Sequence, residues 1–246
     1  MVELHEISFD EKLLGDHYET HGVLIPSSPQ IITPAIEAAI SKGAFEAEEA
    51  AELPYIVEPG DRVLEIGAGI GFISTLLDRH SSVDKVVAVE ANPFLMSYMA
   101  RLHDINGVRK VVRKNAILTN DPIESMTFYL RQDFWMGSLA EGPNPYQATV
   151  EVPTQNLDGL IRDEDISLIV CDIEGAETVL FRDADLSGVT RIYLELHDHV
   201  TGLRGVRDLF KVLENKGFTY DPRHSSKSIV LFRRVADDEV LRPYAG

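Results

Sequence analysis

Apolar and polar positions along this chain fall into a few short hydrophobic runs separated by stretches of helical spacing. Val63, Leu64 and Ile66 form one run, and Val86 to Glu90, Ile166 to Cys171 and Arg191 to His197 form others. Each reads as a strand covered on both faces, as strands in parallel sheets are. Val108 to Val112 adds a strand, third in order along the chain. Between the strands, apolar residues recur at helical spacing in Phe72, Ile73, Leu76 and Leu77, and again in Phe94 to His103, Leu157 to Ile161 and Val206 to Lys216. Strands alternating with helices predict an α/β fold built on a doubly wound, mostly parallel sheet. Phe218 to Tyr220 and Ser228 to Phe232 close it as an antiparallel end hairpin, for seven strands in all.

Two regions stand outside that alternation. Ahead of it, Thr33 and Pro34 give an N-cap and first helical position for a helix reaching Ser41, and a second helix is expected from Ala44 to Leu53, stopped by Pro54. Pro59-Gly60 then resets the chain. Residues 1–60 are therefore expected to form an N-terminal extension covering the site of a single unit spanning 61–246. Within the extension, Val2, Leu4, Ile7 and Phe9 hint at an edge strand, and the polar aromatic cluster Asp16 to His21 suits either a substrate cover or a surface loop. His17 and His21 have metal-like spacing only if that segment is helical. The second region is an inserted β-hairpin, Thr127 to Arg131 and Ala148 to Val152, whose connecting loop holds Trp135. Residues 234–246 read as a polar tail.

Chemistry concentrates after the first strand. Glu65 ends that strand, and Gly67, Ala68, Gly69 and Gly71 make a turn in which glycine permits positive φ and close approach of a ligand. The glycines fall at every second position, with Phe72 where a dinucleotide fingerprint places its third glycine, which disfavours NAD. A carboxylate at the strand tip repels a pyrophosphate and attracts the ammonium and sulfonium of S-adenosylmethionine. The N–H groups of the following helix start can take that cofactor's carboxylate. Glu90 ends the second strand, where an acid accepts hydrogen bonds from ribose hydroxyls, and Ala91 and Asn92 follow it directly.

The stretch Glu65 to Gly71, with Glu90, resembles the first two motifs of class I S-adenosylmethionine-dependent methyltransferases. Val152 to Leu160 and Leu168 to Glu177 resemble the FkbM-type branch of that superfamily. The resemblance implies a Rossmann-like fold, S-adenosylmethionine as cofactor, adenine contact near Asn115 and Ala116, and O-methylation of a small hydroxylated molecule such as a sugar or polyketide. Asn92-Pro93-Phe94 is similar to a motif of enzymes that methylate planar nitrogens, but theirs follows the fourth strand and this one the second, so base methylation is not expected.

Methyl transfer to a hydroxyl asks for alignment and a base. His197 is the expected base from its ordinary pKa near neutrality, with Asp172 and Glu174 beside it at the sheet's carboxyl edge. Asp172 suits several roles: orienting the acceptor, holding the cofactor, or joining Glu174 and Glu195 around a divalent ion, although no metal is assigned. Glu46, Glu48, Glu49 and Glu52 read mostly as a solvated face, with Phe45 and Glu46 able to reach the cofactor if their helix lies over the turn. Forty acidic residues against 23 basic give a formal charge of -17. Such a surface repels phosphate backbones and anionic lipid, so neither a nucleic-acid nor a membrane partner is expected. No run is long enough to span a membrane and Met1 to Glu6 is unlike a signal peptide, so a cytoplasmic location is expected. Cys171, the single cysteine, excludes an intrachain disulfide and reads as a buried inert thiol. Two further readings stay open, a non-catalytic S-adenosylmethionine-binding protein and a nucleotide-linked oxidoreductase. The oligomeric state is not fixed by the sequence.

Overall fold

The computed structural model describes residues 16–142, 144–235 and 242. The strand expected across Val2 to Phe9 and most of the polar tail lie outside the described residues. In chain order the elements are β1 (His17–Thr20), β2 (Val23–Pro26), α1 (Pro34–Ser41), α2 (Ala47–Ile56), β3 (Asp61–Ile66), α3 (Phe72–Arg79), β4 (Val83–Glu90), α4 (Met96–Ile105), β5 (Val111–Asn115), β6 (Ile117–Thr119), β7 (Ser125–Leu130), β8 (Ala148–Asn156), α5 (Leu157–Asp163), β9 (Leu168–Cys171), α6 (Glu177–Arg182), β10 (Arg191–Glu195), α7 (Asp198–Asn215), β11 (Phe218–Ser226) and β12 (Ile229–Arg234).

Seven strands form one sheet in the order β11-β12-β10-β9-β3-β4-β5, parallel throughout except for β12. Alternate residues of each inner strand enter different cores. Val63, Val86, Leu168 and Tyr193 pack with α1 to α4 on one face, while Leu64, Val87, Ile169 and Ile192 pack with α5 to α7 on the other. Burial on both faces is why these strands read as unbroken apolar runs. The chain winds outward from β3 through β4 to β5 and then returns to β9, so the direction reverses between β3 and β9. In open α/β sheets the ligand crevice lies at that reversal, beyond the carboxyl ends of the strands.

A buried ion pair ties the opposite end of this sheet. Arg191, first residue of β10, donates to both carboxylate oxygens of Asp61, first residue of β3, at 2.6 and 3.0 Å. Asp61 also accepts from Ser167 Oγ at 2.7 Å and Glu58 N at 2.6 Å, so the pair is well supplied with partners.

Several boundaries differ from expectation for local reasons. Helix α1 starts as expected, with Thr33 Oγ1 capping Ile36 N. Helix α2 starts three residues late, because Glu46 takes a left-handed φ of 51°, and it continues through Pro54 to Ile56. Strand β5 starts at Val111, not Val108. Gly107, at φ 67°, closes α4, and Asp78 Oδ1 takes the N–H groups of Arg109 and Lys110. His17 lies on a strand and His21 in its turn, which removes the helical metal-site spacing considered for that pair. The inserted hairpin β7–β8 is present and becomes a three-stranded sheet through β6, which pairs in parallel with the end of β8. Strand β10 ends at Glu195, and α7 begins at Asp198 with a break at Gly202. No helix among the described residues is long and apolar enough to cross a membrane.

Candidate active site

A cleft opens at the reversal point, walled by the ends of β3, β4, β9 and β10 and by the turn before α2. Glu65 and Glu90 both line it. Glu65 is buried, and its Oε1 accepts from Ser74 N at 3.0 Å while Oε2 is buried without a hydrogen-bond partner. Burial pushes its pKa up from 4.5 to about 8, with the Glu90 charge adding to the rise and the Ser74 bonds opposing it. Ser74 N is one of the free donors at the start of α3, so Glu65 already uses part of the helix start expected to receive a ligand carboxylate. Glu90 Oε2 accepts from Gly69 N and Oε1 from Asn92 N, both at 2.7 Å. Burial again dominates and raises its pKa to about 7 against those two bonds. Each of its oxygens keeps a lone pair for a further donor.

The three glycines of the turn all have positive φ, at 83°, 52° and 86°, yet they serve different neighbours. A Cβ on Gly67 would stand 1.7 Å from the Asp172 carbonyl oxygen, so this glycine lets β3 and β9 meet at the crevice. A Cβ on Gly71 would strike His103 and Met99 of α4, at 2.5 and 2.6 Å. Only Gly69 turns toward the cleft side, against Phe134 at 3.3 Å. The expectation that all three clear room for a ligand is corrected accordingly.

Among the other expected cofactor residues, Ala68, Ala91, Ala116 and Asp172 line the cleft. Asn92 and Asn115 do not. Asn92 Oδ1 caps its own turn at Phe94 N (3.1 Å), and Asn115 Nδ2 donates to the carbonyls of Glu90 and Ala91 at 2.8 and 3.0 Å. Both brace the end of β4 instead of facing a ligand.

Asp172, Glu174 and His197 are brought together, but His197 is not placed as a base. Its ring is buried, does not line the cleft, and sits between two carboxylates, with Nδ1 2.6 Å from Glu177 Oε1 and Nε2 3.2 Å from Asp172 Oδ1. Burial alone would lower its pKa. The bonds to Asp172 and Glu177 outweigh that and raise it to about 11, so the ring is an imidazolium at neutral pH with no room for another proton. Asp172 and Glu174 do reach the cleft. Glu174 adopts a left-handed φ of 50°, and burial raises its pKa to about 7, with His197 opposing and Asp172 adding to the rise. One ligand atom each of Asp172, Glu195 and His197 lie within 4.8 Å of one another, and within that group His197 is already paired with Asp172.

Of the acids whose pattern reads mostly as a solvated face, Glu46 is expected to reach the cofactor if its helix lies over the turn, and Glu49 is not. Glu46 and Glu49 line the cleft, and burial followed by the negative neighbours around them raises both, Glu49 to about 7. Glu46 is the left-handed residue just before α2 and Glu49 lies in its first turn, so the turn and the helix start together bring them to the cleft. Phe45, Phe134 and Trp135 complete the wall. Phe45 and Trp135 stack at 6.2 Å, so the single tryptophan both packs and shapes the cleft.

A family model for the TRM5/TYW2 methyltransferase domain matches residues 38–123, from α1 through the glycine turn and β4 to the loop after β6. The matched segment is about a third of the chain and holds both Glu65 and Glu90. Among solved structures, Trm5b from Pyrococcus abyssi is similar over 88% of this chain and 55% of its own, with 12% identity and a TM-score of 0.50. This chain thus spans about half the length of that protein. TYW2 of M. jannaschii in complex with AdoMet is similar over 89% of this chain and 86% of its own, at 15% identity and a TM-score of 0.45. A Streptococcus pneumoniae protein described as a candidate tRNA (m1A22) methyltransferase covers 80% of this chain and 72% of its own, at 13% identity and a TM-score of 0.46. A comparison with curated protein sequences gave no match.

These findings correct three expectations. The matching family is TRM5/TYW2 and not the FkbM type. The stretches that carried the FkbM resemblance, in β8–α5 and β9–α6, lie outside residues 38–123. With that family goes the small-molecule O-methylation inferred from it, and the exclusion of nucleic acid as partner falls too.

Proposed function

We propose that this chain is an S-adenosylmethionine-dependent methyltransferase that acts on RNA, specifically on a tRNA. The observation that carries the reading is the match of residues 38–123 to the TRM5/TYW2 methyltransferase domain, which includes the glycine turn, Glu65 and Glu90. The cofactor supplies a methyl group on a positively charged sulfur, and the residues in the cleft fit it. The buried, unpartnered Glu65 Oε2 would take the ammonium of its amino-acid end, and Glu90 the ribose hydroxyls. Ala68, Gly69 and Ala116 would flank it, and the turn at Phe45 and Glu46 would cover it. Glu174 is the group poised to accept a proton near neutrality, and Asp172, held by His197, would orient the acceptor. A cytoplasmic location suits a tRNA acceptor.

The test is transfer of label from methyl-labelled S-adenosylmethionine to bulk unmodified tRNA, followed by nucleoside analysis. Label in one tRNA nucleoside, lost in Glu90→Ala, is the expected result. Label that never enters RNA, from protein that binds the cofactor, would overturn the reading.

A further inference from the structure

Positive charge is unevenly spread over this acidic chain. Residues 105–120 hold Arg109, Lys110, Arg113 and Lys114 and no Asp or Glu. All four lie on or just before β5, an edge strand of the seven-stranded sheet that pairs there only with β4. Arg109 and Arg113 are exposed. Among the described residues none of the four has a carboxylate partner for its side chain. Lys110 Nζ donates to the carbonyls of His80 and Val83 at 2.9 and 2.8 Å, and Arg113 Nη1 lies 3.3 Å from His103 Nδ1. Elsewhere Arg62, Lys85, Arg191 and Arg233 are each tied to a carboxylate. The Asp78 carboxylate facing this strand accepts the backbone N–H groups of Arg109 and Lys110.

Location adds a second observation. Strand β5 runs into Ala116, which lines the cleft, and Arg113 is three residues back, about 10 Å along an extended chain. The opposite side of the mouth carries Glu46, Glu49, Asp172, Glu174 and Glu195, a concentration of carboxylates that repels phosphate. A polyanion whose reacting group must enter this cleft is therefore pushed from one rim and attracted to the other.

We infer that the edge formed by Arg109, Lys110, Arg113 and Lys114 is where the phosphate backbone of the RNA docks. The inference rests on the proposal that the acceptor is an RNA. Exposed cations on a sheet edge also serve to keep strands of other molecules from pairing there, and the experiment separates the two uses.

Binding of fluorescently labelled bulk tRNA is measured for the full chain across a series of salt concentrations, together with S-adenosylhomocysteine affinity. The variants are Arg109→Glu/Lys114→Glu and, separately, Arg113→Gln. The double variant is expected to weaken tRNA binding at least tenfold and to flatten the dependence of log affinity on log salt by about 2, one for each lost phosphate contact. Arg113→Gln is expected to weaken it severalfold, with cofactor affinity unchanged in both. Wild-type protein that binds tRNA, with variants that bind it equally, would overturn this docking surface and leave the charges to edge protection. Wild-type protein that binds the cofactor but neither binds nor methylates tRNA would overturn the proposed function itself.

Discussion

Glu65→Gln should make the cofactor-free protein more stable and the enzyme worse. In the folded chain the Glu65 carboxyl has a pKa of about 8 against an ordinary 4.5, chiefly through burial. At pH 7 folding therefore obliges this group to take up a proton about 2.5 pH units above its ordinary pKa, at a cost of about 3 kcal/mol. Glutamine keeps the oxygen that accepts from Ser74 N and is neutral at every pH, so it avoids that cost. Its amide and a protonated carboxyl both leave one group in the cleft without a partner, so that part cancels. The sign follows from the raised pKa: the penalty is absent well below 4.5, grows as pH rises, and levels off above 8. The gap in stability between variant and wild type should be about 3 kcal/mol at pH 7 and under about 1 kcal/mol at pH 5. For a chain of this size the pH 7 gap is a rise in Tm of roughly 6 to 12 °C. Binding should move the other way. Losing one partner of a buried charge pair costs about 2 to 5 kcal/mol, so the Kd for S-adenosylmethionine should rise at least about 30-fold. Differential scanning fluorimetry of the apo protein at pH 5 and 7, with calorimetric titration of the cofactor, reads both quantities. A variant that melts lower than wild type at pH 7, or that binds the cofactor as tightly, would refute the placement of a bare buried carboxyl facing a cation.

Cofactor affinity itself should rise between pH 6 and 8, because a positively charged ligand favours ionised Glu65 and Glu90, whose pKa values are about 8 and 7 in the free protein. Binding should then release protons, visible as a buffer-dependent enthalpy in titration calorimetry, and a flat or falling profile would contradict it. Gly67→Ala should prevent proper folding, since its Cβ would stand 1.7 Å from the Asp172 carbonyl; a soluble variant with native Tm would show that β3 and β9 meet differently. Asp61→Ala leaves the buried Arg191 with only the exposed Glu58 carboxylate, 3.5 Å away, and breaking such a buried pair costs about 3 to 5 kcal/mol, to be read by urea unfolding. A loss below 1 kcal/mol would mean that the pair is solvated in solution.

The parts of the fold that were legible are those where one physical rule acts alone. The inner strands Val63 to Ile66 and Val86 to Glu90 are buried on both faces, so composition by itself marks them. The β5 boundary was misread because hydrophobicity begins at Val108 while pairing begins at Val111, after Gly107 and Asp78 have used the intervening backbone. That Glu65 and Glu90 both reach the cleft was legible because each stands at the carboxyl end of an inner strand beside the reversal point. Glu49 was less so, because a run of acids on an expected helix reads equally as a solvated face, and Glu46 was legible only on the condition that its turn lies over the site. His197 failed as a base for a reason no linear pattern displays. Glu177, twenty residues earlier, and Asp172, across the sheet, converge on its two ring nitrogens and hold the proton there.

The step from a net charge of -17 to the absence of a nucleic-acid partner failed for a different reason. Net charge is a sum over the whole surface, whereas a docking phosphate responds to what lies within a screening length, about 8 Å at physiological ionic strength. Carboxylates farther away than that contribute little to what it meets at β5, where residues 105–120 carry four cations and no acid and where the neighbouring Asp78 is bonded to the backbone of Arg109 and Lys110. The same acids still matter at the cleft, where burial, and after it the charges of their neighbours, raises the pKa values of Glu46, Glu49, Glu174 and Glu195. Composition can therefore exclude a uniformly attractive surface for a polyanion, but it cannot exclude one attractive rim beside a repulsive one. That arrangement would let a protein of this charge hold an RNA in a single orientation.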